Sequence, residues 1–227
     1  MRIKREAAVD FQGPGATDFD NVRSLNRAFI RLLRSGDAKR TCLQSLPGDL
    51  AACISSLPDG RADRLATTPF LLLSFRERDD DFWEEVFSAG PNRELFAASP
   101  PSDDLRRLIS AGLGFVWQLA MQNPYAARLI CGASLHWCER LAERTLFRVL
   151  ATAGMRADIL MLRCGSDSEL WSKLLSSGTS RENEVRRAAH ISALQAVLTR
   201  AATPERKKWA AAACALRSPS LRVADDR

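Results

Sequence analysis

The feature that most limits what this chain can fold into is a plan that occurs twice. Residues 69–90 run as a proline, an apolar stretch from Phe70 to Phe75, an acidic turn at Asp79-Asp80-Asp81, and a short helical segment that carries Trp83 and closes at Gly90. Residues 159–178 repeat that order. At a constant offset of 88, Leu72 falls on Leu160, Asp79 on Asp167, Trp83 on Trp171, Ser88 on Ser176 and Gly90 on Gly178. Phe82, Val86 and Phe87 meet Leu170, Leu174 and Leu175 in the same register. Upstream the offset becomes 85, pairing Cys53 with Cys138 and Leu65-Ala66-Thr67 with Leu150-Ala151-Thr152. It then returns to 88, pairing Leu25 with Leu113, Phe29 with Trp117 and Arg40 with Arg128. Order and spacing held over such a length predict two copies of one structural unit.

The periodicity inside each copy is helical. Val22, Leu25, Phe29, Leu32 and Leu33 predict a helix over 20–35, capped by Asp18 or Asp20 and ended by Gly36, with Arg23, Arg27, Arg31 and Arg34 on its other face. Short helices follow over 37–43, 49–57 and 61–67, and Phe70–Phe75 reads as a short strand or a buried extended segment. Asp79–Asp81 cap the Trp83 helix and complement its dipole. In the second copy Leu105, Leu108, Ile109, Phe115, Val116 and Leu119 make a long helix stopped at Asn123-Pro124. Short helices then run over 125–131, 134–143 and 145–153. Thr179 and Glu182 have capping-box spacing, and open a helix to about 202 with Val185, Ile191, Leu194 and Leu198 inward. Thr203-Pro204-Glu205 starts an Ala-rich helix through Leu216. The fold class is therefore mainly α: two tandem helical modules with a helical C-terminal extension and a short strand or extended segment in each module, which the family resemblance given below turns into an intrachain pseudo-dimer. The expected divisions are a loose arm 1–17, a first module 18–90, a linker 91–102, a second module 103–178, basic helices 179–217 and a tail 218–227.

Net charge is +6 but unevenly placed: −1 over residues 1–100, +2 over 101–180 and +5 over 181–227. A basic end on a balanced chain points to a polyanion or an acidic partner, or simply to solubility. The N-terminus is basic without an apolar stretch behind it, and no apolar run reaches the ~20 residues of a membrane helix, so a soluble cytoplasmic protein is expected. The six cysteines are scattered through helical segments, as reduced thiols used as small apolar residues would be. Cys131, His136 and Cys138 are the one Cys/His cluster, but they lack structural-zinc spacing and a fourth ligand. There is no Gly-rich phosphate loop, no nucleophile elbow and no zinc-protease motif, and the chain holds only His136 and His190. No enzyme activity, metal or cofactor is expected.

The second copy has a likeness of its own. A long apolar helix, an Asn-Pro turn, AARLICGAS, HWCERLAERTLFRVLA and then ILML, ending in Arg163, resembles FlhD, a subunit of the bacterial flagellar master transcription regulator. His190–Arg200 followed by Pro204-Glu205 and a basic cluster is similar to that family's C-terminal helix, and the first copy fits the outline from Leu25 to Glu77, including the Phe75-Arg76 step. A typical member has one module where this chain has two, and the interval between the Leu-Ala steps is shorter in the second. The resemblance implies a mainly helical transcription regulator, an activator of flagellar or related genes, that pairs with itself and acts on DNA with an FlhC-like partner. Candidate DNA-contacting residues are Arg140, Arg144, Arg148, Arg186, Arg187, Arg206, Lys207 and Lys208; Phe29, Leu72, Trp83, Trp117, Leu160 and Trp171 are the expected repeat core. The competing class is a helical adaptor or anti-activator that binds a regulator without touching DNA.

Overall fold

The computed structural model describes residues 13–35, 46–88, 103–152 and 156–201. The expected helix at 37–43, the linker and the Ala-rich segment after 203 lie outside them. The described chain is mainly α-helical. In the first module α1 (Ala16–Ser35), α2 (Gly48–Ser55) and α3 (Asp59–Ala66) lead to β1 (Leu73–Ser74) and α4 (Asp80–Ser88). In the second, α5 (Asp103–Gln122), α6 (Pro124–Cys131), α7 (Leu135–Ala142) and α8 (Leu146–Thr152) lead through a 3-10 turn to β2 (Met161–Leu162) and α9 (Ser168–Ser176). The last element is α10 (Asn183–Ala201).

Strand and Trp helix keep the 88 offset at both ends, residue for residue. So does the turn between them. Arg76 and Cys164 both take a left-handed backbone, φ 56° and 50°. Asp79 and Asp167 each accept a hydrogen bond from the backbone N–H three residues on, Phe82 and Leu170, both at 3.0 Å. Each indole donates to the carbonyl eight residues back, Trp83 to Phe75 at 3.1 Å and Trp171 to Arg163 at 3.0 Å. A left-handed residue, an Asp cap and a tethered indole are a complete local recipe for turning a strand into a helix.

The two strands pair antiparallel, Leu73 opposite Leu162 and Ser74 opposite Met161. Adding 88 to Leu73 and Ser74 gives Met161 and Leu162, so the offset maps this ladder onto itself. That is the signature of an isologous, two-fold contact. The first helices α1 and α5 also pack together. Gly112 of α5 sits so close to Phe75 that a Cβ there would meet the ring at 2.5 Å.

The Trp helices cross over. Trp83 packs edge-on against Trp137 of α7, ring centres 5.1 Å apart, and α9 packs on α2 of the first module. The equivalent helices α8 and α3 brace the equivalent carbonyls through arginines at different register positions: Arg148 donates to the Phe87 carbonyl at 3.2 Å, and Arg61 to the Leu175 carbonyl at 2.5 Å. One continuous apolar core results, with Phe29, Leu72, Trp83, Leu160 and Trp171 all buried. Trp117, the equivalent of Phe29, is only half-buried and donates its indole N–H to the Arg144 carbonyl at 2.6 Å.

Two expected details change at the C-terminal end. Thr179 does not cap α10; it is buried, donates back to the Leu175 carbonyl at 2.7 Å and accepts from Arg61 at 3.0 Å, so it finishes α9 instead. The inward face of α10 is His190, Ala193 and Val197, while Val185 and Ile191 are 41% and 53% exposed. The reason is steric. Gly132 turns the chain with φ 61°, and Val197 fills the space where its Cβ would lie. That contact, with the His190–Gly178 and Arg78–Val197 hydrogen bonds, holds this face of α10 inward.

Candidate functional site

The cations expected at a polyanion fall into three groups. Arg140, Arg144 and Arg148 lie on α7 and α8, but they hold the end of α4 rather than a free surface. Arg140 pairs with Glu84 at 2.8 Å and lies 4.7 Å over the Phe87 ring, and Arg144 lies 5.5 Å from the same ring. Arg148 binds the Phe87 carbonyl. Glu84 is held below its ordinary range by its hydrogen bond from Arg140. Arg140 and Arg148 thus find acceptors at the end of α4, and Arg144 lies against the ring there.

On α10, Arg186 folds back on its own N-terminus, donating to the Ser180 carbonyl at 2.8 Å and to Asn183. Arg187 is exposed. Arg206, Lys207 and Lys208 lie outside the described residues. On α1, Arg27 and Arg34 pair with Asp63 and Asp59 of α3 at 2.8 and 2.6 Å, and Arg23 and Arg31 are exposed.

A further cluster has no signal in the sequence. An open crevice of about 1050 Å³ beside the ladder is lined by Arg76, Arg78 and Arg200 together with Asp80, Asp81 and Asp158. Burial lowers the Arg78 pKa, and its guanidinium donates to the Val197 carbonyl at 3.1 Å. Arg76 and Arg156 both lie over the Phe82 ring, at 4.4 and 4.5 Å from its centre, and share Asp158. The signs alternate, so the crevice has no strong preference for anions. Only the folded turn brings these residues together, and their spacing in the chain gives no hint of it.

The helix seams of the two modules differ. In the first, the α1–α3 seam is closed by its two ion pairs over buried Leu33 and Ala62. The residues in register with Leu33 and Ala62 are Met121 and Phe147, and these are 53% and 66% exposed, with Tyr125 exposed a turn beyond Met121. One module thus shows water an apolar face that the other seals. Exposed aromatic and Met side chains are over-represented at protein interfaces.

The Cys/His cluster has no donor set for a metal. Cys131 and Cys138 are both fully buried, and burial drives both thiols upward, Cys138 to about 12, so they stay protonated. His136 is exposed. Among the described residues no three metal-ligating side chains converge, and no helix is long and apolar enough to cross a membrane. Comparison with protein-family models, with characterised proteins and with solved structures finds no match for this chain.

Proposed function

We propose that this chain is a fused, pseudo-dimeric relative of FlhD: a cytoplasmic regulator subunit that acts on promoter DNA through a protein partner. The observation that carries the reading is the ladder that the 88 offset maps onto itself, together with Trp helices exchanged between modules. A one-module protein built this way has to dimerise to complete its core, which is what the FlhD likeness implies. Two copies in one chain meet that need internally.

Partner-mediated action is favoured over direct DNA contact. Arg140, Arg144 and Arg148 are engaged on α4, whereas Met121 and Phe147 of the second module are exposed where their register partners Leu33 and Ala62 in the first are buried, and Tyr125 is exposed as well. The same facts favour, as second reading, an adaptor or anti-activator that never meets DNA. The test is to purify the chain from its native cell with whatever protein it holds, then measure DNA affinity against salt with and without that protein. Affinity with a steep salt dependence only in the complex supports the regulator reading, since phosphate neutralisation sets the slope. A complex that ignores DNA at low salt leaves the adaptor. If the chain itself meets phosphates, changing Arg206, Lys207 and Lys208 to Ala lowers the slope by roughly 0.9 for each phosphate no longer neutralised.

A further inference from the structure

The turn between α9 and α10 gathers cations and one imidazole, and among the described residues their acceptors there are carbonyls and a hydroxyl rather than a carboxylate. From the first module, Arg61 reaches the Leu175 carbonyl at 2.5 Å and the Thr179 hydroxyl at 3.0 Å, and Arg64 reaches the Thr179 carbonyl at 2.7 Å. From α10 itself, Arg186 holds the Ser180 carbonyl. His190 is 5% exposed and its Nε2 lies 2.9 Å from the Gly178 carbonyl, so a neutral ring donates there. On α9, Lys173 points away from this turn to Glu169, at 2.7 Å, and Glu182 and Glu184 are exposed. Arg61, Arg64, Arg186 and His190 therefore all serve one short turn.

The rest of the docking of α10 is thin. Its buried side chains are His190, Ala193 and Val197, and its polar ties are Arg78 to the Val197 carbonyl and Arg200 to Asp167 at 2.5 Å. Leu194 and Ala196 are only partly buried against the core and Ala193 buries little area, so His190 and Val197 are the two large side chains of α10 that the contact encloses.

We propose that His190 makes the docking of α10 proton-sensitive: charging its buried ring beside Arg186 releases α10 and loosens the cross-module brace that Arg61 and Arg64 make at the Leu175–Thr179 turn. Burial and the Arg186 charge both hold the imidazole below its ordinary 6.5, against the hydrogen bond to Gly178. The sign follows from linkage. In released α10 the ring takes a proton near 6.5; in docked α10 it resists. Docking is therefore fully favoured above about pH 6.5 and is lost as pH falls through the docked-state value.

The test is hydrogen exchange of the α10 amides, corrected for intrinsic rate, from pH 7.5 to 5, with NMR titration of both imidazoles. Exposed His136 is the internal control. In wild type, α10 protection drops by up to tenfold per pH unit below 6.5 while α5 protection holds, and His190 titrates below the ordinary 6.5. In His190→Gln, which keeps a donor and cannot charge, α10 protection stays flat with pH; His136→Gln behaves as wild type. Wild-type α10 protection that stays level while His190 takes its proton overturns the proposal, as does an equal fall in His190→Gln. If His190→Gln does not fold, the wild-type titration and exchange decide alone.

Discussion

The turn after β1 and the turn after β2 share a backbone and almost none of its side chains. Both put a non-glycine residue in the left-handed region, cap the next helix with Asp and tether an indole. Around that frame everything differs. Phe75, buried and apolar, is matched by Arg163, buried and charged; Glu77, also buried, is matched by Gly165. Arg163 bonds the Leu71 carbonyl at 2.5 Å, the Leu73 carbonyl at 2.7 Å, the Cys131 carbonyl, and Glu77 at 2.5 Å. Glu77 in turn accepts from the Phe75 N–H and the Ser74 hydroxyl. Asn26 of α1 donates to Phe70 and accepts from Leu72, and its equivalent is Gly114. Backbone geometry carries the repeat, while side chains at the axis make each half fit only the other. A buried polar network that is fully satisfied specifies a partner more than it adds stability.

Cutting the pair apart is the severest way to break this comparison. Residues 1–100 and 101–227, made separately, are each expected to lack a cooperative unfolding transition, because Trp83 and α9 find their packing in the opposite half. Mixed together they should recover it, as circular dichroism and near-ultraviolet signals would show. A half that folds alone, at native helicity, would end the exchanged-helix description.

Next come the buried groups at the axis. Glu77→Ala leaves the Arg163 guanidinium buried without its carboxylate and should cost about 3–5 kcal/mol in denaturant unfolding. Arg163→Met with Glu77→Gln should cost clearly less than the sum of the single changes, since no charge is stranded. Trp83→Ala and Trp171→Ala should each cost about 3–5 kcal/mol. Trp83 is expected at the upper end, because it also packs on Phe82, Phe87 and Trp137.

How much of this the sequence shows depends on the reach of each interaction. The repeat is legible because its markers, Asp79 with Trp83 and Asp167 with Trp171, act within one turn and cap and so keep fixed spacing. Helix exchange is not legible: an apolar stripe says that α4 and α9 bury a face, not which module receives it. Arg140, Arg144 and Arg148 read as a free basic face because Glu84 and Phe87 are over fifty residues away in the chain. The α10 stripe misleads for a similar reason. Val185 and Ile191 are better hydrophobes than Ala193, but Gly132 leaves room only for Val197.

The caps sharpen the comparison at a smaller scale. Asp79→Ala and Asp167→Ala should each cost about 1 kcal/mol, with Asp167→Ala the larger, because both carboxylates also pair with an arginine but Asp167 is 10% exposed and Asp79 36%. The Asp79 carboxylate is held below its ordinary 3.8, first by the Phe82 N–H and then by Arg76. Its contribution is thus present above about pH 3.8 and is lost as pH falls through the folded-state value. Wild type and Asp79→Ala should converge in stability under acid and differ most near neutrality; parallel curves would remove the cap from the account.

The smallest effect separates backbone from side chain most cleanly. Arg76 and Cys164 carry the same left-handed strain, which glycine relieves, though glycine also gains freedom in the unfolded chain. Cys164 is half-buried against the core and brings no charge to the turn, so Cys164→Gly should be stabilising by about 0.5 kcal/mol or close to neutral. Arg76 instead pairs with Asp79 and Asp158 and covers the Phe82 ring, so Arg76→Gly removes those contacts along with the strain. The two substitutions are identical in backbone terms, and thermal unfolding should still separate them: Cys164→Gly at or above wild type, Arg76→Gly below it. Equal shifts in the two variants would mean that the backbone alone sets the energetics of this turn, and the side-chain asymmetry around the axis would then lose its weight.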